Sequence, residues 1–201
     1  MPKVSGWFVT TAMVVIVLAA APALPFMPWR VAKAQARLGQ SLAKSTIPND
    51  LIDYDGFRAI VDSAEVGRES KRLTEAEFLD AMSKPDTVLL DARSAKRFEQ
   101  RHIAGAVNLP FTDWTQTTLS TVIANSTTRI LIYCNNNFVG SPESFPTKLS
   151  ATSLNLMSYT NLVAYGYTNI YELGPLLDVA STVLPFDGRE LSGLSSAQAP
   201  A

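Results

Sequence analysis

Short apolar runs and amphipathic segments alternate along the chain from residue 72 onward. Four apolar runs have the length and composition of strands: residues 87–92, 106–109, 129–133 and 168–173. Helical spacing of apolar positions predicts helices around them, over residues 74–83, 95–101, 113–124 and 153–165. The run at 129–133 lacks polar alternation, which predicts a strand buried on both faces. Strands that alternate with helices predict an α/β domain with a mostly parallel sheet.

Two of these helices carry local boundary signals. Thr74 followed by Glu77 has the sequence of a capping box, so a helix is expected to begin there and to run to Ser83. Ser153 is a suitable N-cap for the last helix, and Gly166 falls just past its end, where a left-handed residue commonly terminates a helix.

The flanking segments differ from this pattern. Residues 37–72 form a polar lead-in with a short amphipathic piece. Its apolar side chains are expected to pack on the core: Leu51, Ile52, Phe57, Ile60 and Val61. Residues 187–201 end in LSGLSSAQAPA, which is small and polar and predicts a disordered tail.

The first residues of the chain predict export. A short basic start, MPK, precedes a charge-free apolar run and two Ala-x-Ala sites, Ala21-Pro22-Ala23 and Ala34-Gln35-Ala36. This order is typical of a secretory signal peptide, predicted here at residues 1–36, with the mature protein periplasmic or secreted. The alternative is an uncleaved membrane anchor, because residues 7–27 are almost long enough to span a bilayer, although prolines interrupt their end.

Composition excludes several kinds of partner and site. The formal net charge is −1 and no basic run lies in the body of the chain, so no nucleic-acid partner is expected. A single cysteine and a single histidine do not supply the ligand clusters of zinc or iron sites, so neither a metal nor another cofactor is predicted. A membrane partner is expected only if the N-terminal segment stays uncleaved.

The single cysteine, Cys134, follows the apolar run RILIY and precedes NNNFVG. It cannot close an intramolecular disulfide, so it is buried and inert, paired between chains, or kept as a reactive thiol. A reactive thiolate needs its charge stabilised, which a loop of backbone N–H groups and the positive end of a following helix can provide. Its place in a polar loop at a strand end favours the reactive thiol over a small core residue.

Four separated motifs follow one another along the chain: LLDAR at 89–93, HIAGAVNLP at 102–110, ILIYC at 130–134 and YTNIYEL at 167–173. Together they resemble the rhodanese-like family over residues 73–186. The resemblance implies a central, mostly parallel sheet of about five strands with helices on both faces. It also implies a sulfurtransferase, in which Cys134 takes sulfane sulfur from a donor anion such as thiosulfate, holds it as a persulfide and passes it to a thiophilic acceptor.

The resemblance and the residue types together predict a site. The substrate-binding loop is expected to follow Cys134 and to comprise Asn135, Asn136, Asn137, Phe138, Val139 and Gly140. The asparagine side chains have two equal interpretations, hydrogen bonds to an anionic sulfur or satisfaction of their own backbone. Supporting roles across the strand-end loops are expected for Asp91, Arg93 and His102. Trp114, Phe138 and Phe145 form either an apolar rim or part of the core.

The segment after Cys134 departs from the family pattern. It has no cation before Lys148, and Gly166 lies 32 residues after Cys134, about twice the usual separation. Residues 141–152 are therefore interpreted as an insertion, with Ser141-Pro142-Glu143 as a short helix start that faces the sulfur. The position six residues after the cysteine is Gly140 rather than an arginine, which argues against phosphatase chemistry.

These departures leave alternatives beside the sulfurtransferase. A non-catalytic rhodanese-like module would use the insertion at 141–152 to bind a protein partner. A redox-sensing thiol would form mixed disulfides outside the cytoplasm.

Overall fold

The computed structural model describes residue 47 and residues 49–190, and the compact unit discussed below begins at Leu51. The predicted signal peptide and the chain beyond residue 190 lie outside the described residues, so export stays a prediction. Within the described part, no helix combines the length and the hydropathy needed to cross a membrane. Asp187, the first residue of the predicted tail, pairs in a strand with His102, so this part of the segment is ordered.

Nine short strands make up the sheets of the described region, in chain order: β1 Arg72–Leu73, β2 Thr87–Asp91, β3 His102–Ile103, β4 Val107–Asn108, β5 Arg129–Tyr133, β6 Phe138–Val139, β7 Ile170–Leu173, β8 Leu177–Asp178 and β9 Phe186–Asp187. Five of them form a parallel sheet in the order β1-β7-β5-β2-β4. The pairs β3–β9 (antiparallel) and β6–β8 (parallel) form two smaller sheets. The predicted fold class is confirmed.

Five α-helices lie in the described region, in chain order: α1 Tyr54–Arg68, α2 Glu75–Met82, α3 Ala95–Gln100, α4 Gln116–Val122 and α5 Leu154–Ala164. The expected capping box opens α2, with Glu77 N–H donating to Thr74 Oγ1 and Thr74 N–H donating to Glu77 Oε2. Gly166 adopts φ 86° just after α5, as its position predicts.

The core has one layer on each face of the sheet. Alternate residues of β5 point to opposite faces, so Ile130 and Ile132 pack with α1, α4 and α5, whereas Leu131 and Tyr133 pack with α2. All four side chains are buried, which confirms the expectation that this strand is covered on both faces.

Helix α1 corrects the expectation for the lead-in. Leu51 and Ile52 are 95% and 74% exposed, and Phe57 and Val61 are 45% and 39% exposed. The face of α1 that is least exposed is a narrow stripe at four-residue spacing: Gly56, Ile60, Ala64 and Arg68. Ala64 of this stripe is buried in the core together with Tyr159 and Leu162 of α5, whereas most of the apolar side chains predicted to be in the core lie beside the stripe.

The segment between β6 and α5 also differs from expectation. Residues 141–145 form one turn, closed by Phe145 N–H donating to Ser141 O at 2.8 Å, and no helix starts at Ser141. Pro146 prevents the turn from continuing, because proline lacks the N–H that a helix interior needs. Phe138 and Phe145 are 1% and 2% exposed with ring centroids 4.6 Å apart, so they belong to the core rather than to a rim.

Candidate functional site

Cys134 lies at the carboxyl end of β5, in the middle of the five-stranded sheet, and is 2% exposed. The chain then makes a short 3₁₀ turn over Asn135–Asn137. Open α/β sheets commonly place their ligands at this end of the strands. Cys134 therefore occupies the position at which a site is expected from the topology alone.

Three backbone N–H groups, those of Asn136, Leu154 and Asn155, lie close enough to the Cys134 sulfur to lower the pKa of its thiol. Leu154 and Asn155 are the first two residues of α5, whose N–H groups have no partner within the helix. The positive end of the α5 dipole therefore also faces the sulfur. The predicted helix end is present, but it comes from α5 and not from residues 141–143.

Burial raises the pKa of the Cys134 thiol above its usual value. The three backbone N–H groups act in the opposite direction, and the negative charge of Glu172 raises the pKa further. The net direction is upward, so the resting side chain is a protonated thiol at neutral pH. Its activation requires the loss of a proton, and the N–H groups then stabilise the thiolate that forms.

The asparagine side chains hold the backbone rather than the sulfur. Asn137 Oδ1 accepts the N–H of Cys134 at 2.9 Å, and Asn137 Nδ2 donates to Leu173 O at 2.7 Å. Asn136 exchanges two hydrogen bonds with the backbone of Lys148, at 2.9 and 3.0 Å. The second interpretation is thus correct for Asn136 and Asn137. Their side chains form hydrogen bonds with the backbone and hold the loop in place around the sulfur.

The second half of the predicted substrate loop leaves the site. Phe138 and Val139 form β6 and pair with β8, and the Phe138 ring is buried against Tyr133. Gly140 adopts φ 85°, and a Cβ there would lie 2.7 Å from an Asp178 carboxylate oxygen. Of the six residues of the predicted loop, Asn135–Asn137 form the turn beside Cys134, whereas Phe138, Val139 and Gly140 lie away from it.

Asp91 and Arg93 form a buried ion pair on the other face of the sheet. Arg93 Nη2 lies 2.6 Å from Asp91 Oδ2 and Arg93 Nε also donates to Asp91, while Nη1 donates to Ser144 O and Nη2 to Arg101 O. Burial alone would lower the pKa of Arg93, but the hydrogen bonds and charge of Asp91 outweigh burial and raise it. The pair links the loops that follow β2, α3 and β6, as expected of supporting residues.

His102 also has a supporting position. It lies in β3, its ring stacks on Phe98 with centroids 3.7 Å apart, and Nδ1 lies 2.7 Å from Phe98 O. Trp114 is buried in the core on the α5 side, and its Nε1–H donates to Leu109 O at 2.9 Å. Neither side chain lines the pocket at the sulfur, and Trp114 belongs to the core rather than to an apolar rim.

A pocket of about 250 Å³ reaches Cys134 from the β1–β7 side of the sheet. It is lined by Arg68, Arg72, Cys134, Asn136, Asn137, Ser150, Ser153, Asn155, Leu173 and Gly174. Its two cations come from the end of α1 and from β1. In the region that the structure describes, no group of histidine, cysteine, aspartate and glutamate side chains has the arrangement of a metal site.

Comparison with known protein families matches residues 74–173 to the family described as Rhodanese-like domain. The chain contains a rhodanese-like domain. The match supports membership of the sulfurtransferase superfamily. Comparison with curated proteins finds no match.

Solved structures similar to this rhodanese-like domain share little sequence with it. The rhodanese-like domain of an Anabaena protein is 17% identical over 65% of this chain and 85% of its own, with a TM-score of 0.43. A rhodanese with anions from E. coli is also 17% identical, over 51% of this chain and 99% of its own, with a TM-score of 0.35. A variant of EanB in complex with hercynine is 18% identical over 65% of this chain and 33% of EanB, with a TM-score of 0.44. At these values the likenesses carry no information on function.

Sequence reasoning found the cysteine of the rhodanese-like domain but not the arginines beside it. Arg68 and Arg72 both precede the matched residues 74–173, and no motif marks them. Arg72 reaches the pocket because β1 pairs with β7, which places Arg72 directly beside Glu172. The spacing of four residues between the two arginines was the one sequence feature that could have indicated a shared site, and this spacing alone is not specific.

Proposed function

We propose that the rhodanese-like domain transfers sulfane sulfur through a persulfide on Cys134, from an anionic donor such as thiosulfate to a thiophilic acceptor. The observation that supports this most directly is the position of the sulfur beside three backbone N–H groups, two of them from the first turn of α5. An inert core cysteine has no need of such donors, whereas an anionic sulfur in a buried site must be stabilised by them.

The reaction has two steps. The Cys134 thiolate attacks the outer sulfur of thiosulfate, a cysteine–sulfur bond forms, the bond to the sulfonate group breaks, and sulfite leaves with its electron pair. The persulfide anion on Cys134 then gives its terminal sulfur to an acceptor such as cyanide, which becomes thiocyanate and regenerates the thiolate. Both steps conserve charge, and neither needs an external oxidant.

The residues of this chain have distinct tasks in that sequence. The N–H groups of Leu154 and Asn155 stabilise negative charge on sulfur before and after the first step. Asn137 holds the Cys134 backbone in place through its 2.9 Å hydrogen bond. The reciprocal bonds between Asn136 and Lys148 fix the turn that presents the third N–H.

The role of the N–H groups is testable with a proline at position 154. Leu154 is the first residue of α5, where proline is well tolerated, and Ser153 before it has the extended conformation, ψ 141°, that proline requires of its neighbour. Leu154→Pro therefore removes one donor to the sulfur and keeps the helix. Thiocyanate formation from thiosulfate and cyanide is expected to fall about 10- to 100-fold, the value of one hydrogen bond to a charged group.

Leu154→Ala is the matched control, because it shortens the same side chain and keeps the N–H. It is expected to retain activity within a few-fold of the wild type, while Cys134→Ser abolishes turnover. Equal activity of the proline and alanine variants would show that the N–H group is not used. Turnover by Cys134→Ser would exclude the persulfide route.

A further inference from the structure

We propose that Arg68 and Arg72 bind the anionic end of the sulfur donor at Cys134, so that helix α1 and strand β1, which precede the matched family residues, complete the site. This inference rests on the proposed function and adds the residues that select the donor by charge. Both side chains line the 250 Å³ pocket that contains Cys134. The loop 135–140 contributes no charged side chain.

One hydrogen-bond donor of Arg68 has no partner in the described part of the chain. Its Nη2 lies 2.6 Å from Glu172 Oε1, but its buried Nε finds no hydrogen-bond acceptor in the described part of the chain. Leaving a buried donor unpaired is unfavourable, so a ligand oxygen that accepts this N–H is favoured. An anion in the pocket is such an acceptor.

Arg72 is held by weaker contacts and is accessible. Its Nη1 lies 3.2 Å from the carboxylate of Glu69, which is 81% exposed, and its Nε lies 3.5 Å from Glu172 Oε1. Exposed ion pairs contribute little to stability, so an incoming anion can replace Glu69 at small cost. When Arg72 turns toward a ligand it gives up the 3.2 Å hydrogen bond from its Nη2 to Gly174 O, while Glu172 keeps its 2.6 Å contact with Arg68.

Glu172 acts as a positioning residue for the two arginines. It is 1% exposed, it lies between them, and its contact with Arg68 fixes the guanidinium over the pocket. A cation that is already ordered loses less conformational entropy when a ligand binds. Asn155, also buried in the pocket wall, has an Oδ1 with no donor among the described residues, so the pocket provides an acceptor as well.

The other nearby cations lie around a different cavity. Arg93, Arg97 and Lys148 line a space of about 400 Å³ on the far side of the loop, and Cys134 is not part of its lining. Arg93 is fully occupied by Asp91 and two backbone carbonyls. The positive charge that a donor anion meets beside the sulfur is therefore that of Arg68 and Arg72, and Glu172 carries the opposing negative charge.

Two alkylating reagents of nearly equal size separate charge recognition from sulfur transfer. Iodoacetate carries a carboxylate and iodoacetamide is uncharged, while both replace iodide by the Cys134 sulfur in the same displacement. The measured quantity is the ratio of their second-order rates at Cys134, followed by intact mass at fixed pH and low ionic strength. Because alkylation needs no sulfur donor, this ratio is independent of whether the protein transfers sulfur.

Arg72→Gln and Arg68→Gln are each expected to lower the iodoacetate-to-iodoacetamide ratio about three- to tenfold, mainly through the iodoacetate rate. Arg58→Gln removes the same charge from an exposed position of α1 and is expected to leave the ratio unchanged. If Arg68→Gln does not fold because Glu172 loses its partner, Arg72→Gln alone decides the question.

A ratio that all three variants leave unchanged would overturn the proposal, even if thiocyanate formation were normal. An equal decrease in all three would also overturn it, since only overall charge would then matter. A selective decrease in a protein that forms no persulfide would instead support the anion site and contradict the proposed function. Arg68→Lys, which keeps the charge and loses the planar donor set, is expected to restore part of the ratio.

Discussion

Two arginine–carboxylate pairs lie near the carboxyl end of the same sheet, on opposite faces, and they differ in how completely their hydrogen bonds are satisfied. The Asp91 carboxylate accepts bonds from Arg93 and from the Tyr133 hydroxyl, the latter at 2.5 Å. Both members are almost fully buried, at 1% and 0% side-chain exposure. The hydrogen-bonding groups of this pair already have protein partners, so the pair offers none to a ligand.

The pair of Arg68 and Glu172 has the opposite character. Both Glu172 oxygens and Arg68 Nε lack well-aligned hydrogen-bond partners in the described part of the chain. Burial raises the pKa of Glu172, and the charge of Arg68 counteracts it only in part. Saturated buried pairs hold structure together, whereas a partly satisfied pair beside a nucleophile is a feature typical of functional sites.

Removal of one arginine from each pair tests the comparison, and it has the largest expected effect. Arg93→Gln leaves Asp91 as a buried, uncompensated charge and is expected to cost about 3–5 kcal/mol of unfolding free energy. Arg68→Gln is expected to cost roughly 1–2 kcal/mol, because Glu172 keeps Arg72 at 3.5 Å and its raised pKa makes protonation easier. Urea denaturation at neutral pH measures both values.

Arg58→Gln is the control for loss of a surface charge and is expected to change stability by less than about 0.5 kcal/mol. Equal losses for Arg93→Gln and Arg68→Gln would contradict the distinction between a structural and a functional pair. In that case both pairs would have to be considered parts of the scaffold.

A smaller effect is expected when Glu172 alone loses its charge. Glu172→Gln keeps the shape of the side chain and removes a negative charge that raises the pKa of Cys134. Only the thiolate is alkylated, so the iodoacetamide rate rises with pH around the pKa of Cys134. In the wild type this rise is expected at a higher pH than for an ordinary cysteine, because the pKa of Cys134 is raised. In the variant this pH profile is expected to move to lower pH, and the neutral-pH rate to increase a few-fold.

The matched control for this experiment is Glu69→Gln, which neutralises an exposed carboxylate on the same side of the pocket. Its pH profile is expected to coincide with that of the wild type. A profile of Glu172→Gln that stays in place, or moves to higher pH, would exclude electrostatic coupling between Glu172 and Cys134.

Most of the fold follows from local patterns in the sequence. The apolar run at 129–133 is β5, the Thr74–Glu77 box opens α2, and Cys134 lies at the strand end where the pattern places it. These features depend on neighbours within a few residues, which is why periodicity and capping signals suffice to predict them.

The composition of the site depends instead on distant contacts. The approach of Arg72 to Cys134 requires that β1, only two residues long, pair with β7 about a hundred positions later. The N–H groups of Leu154 and Asn155 reach the sulfur only because residues 138–149 fold back into the core around Phe138 and Phe145. A strand of two residues and an irregular segment have no periodicity, so neither arrangement can be predicted from spacing.

The central claim, that Cys134 carries a sulfur atom, is tested most directly by intact mass. The purified protein is measured before and after thiosulfate, then again after cyanide, beside Cys134→Ser. We predict that thiosulfate adds the mass of one sulfur to the wild type alone and that cyanide removes it. An unchanged wild-type mass, with Cys134 still alkylated by iodoacetamide, would contradict the persulfide and leave a rhodanese-like domain that does not transfer sulfur from thiosulfate.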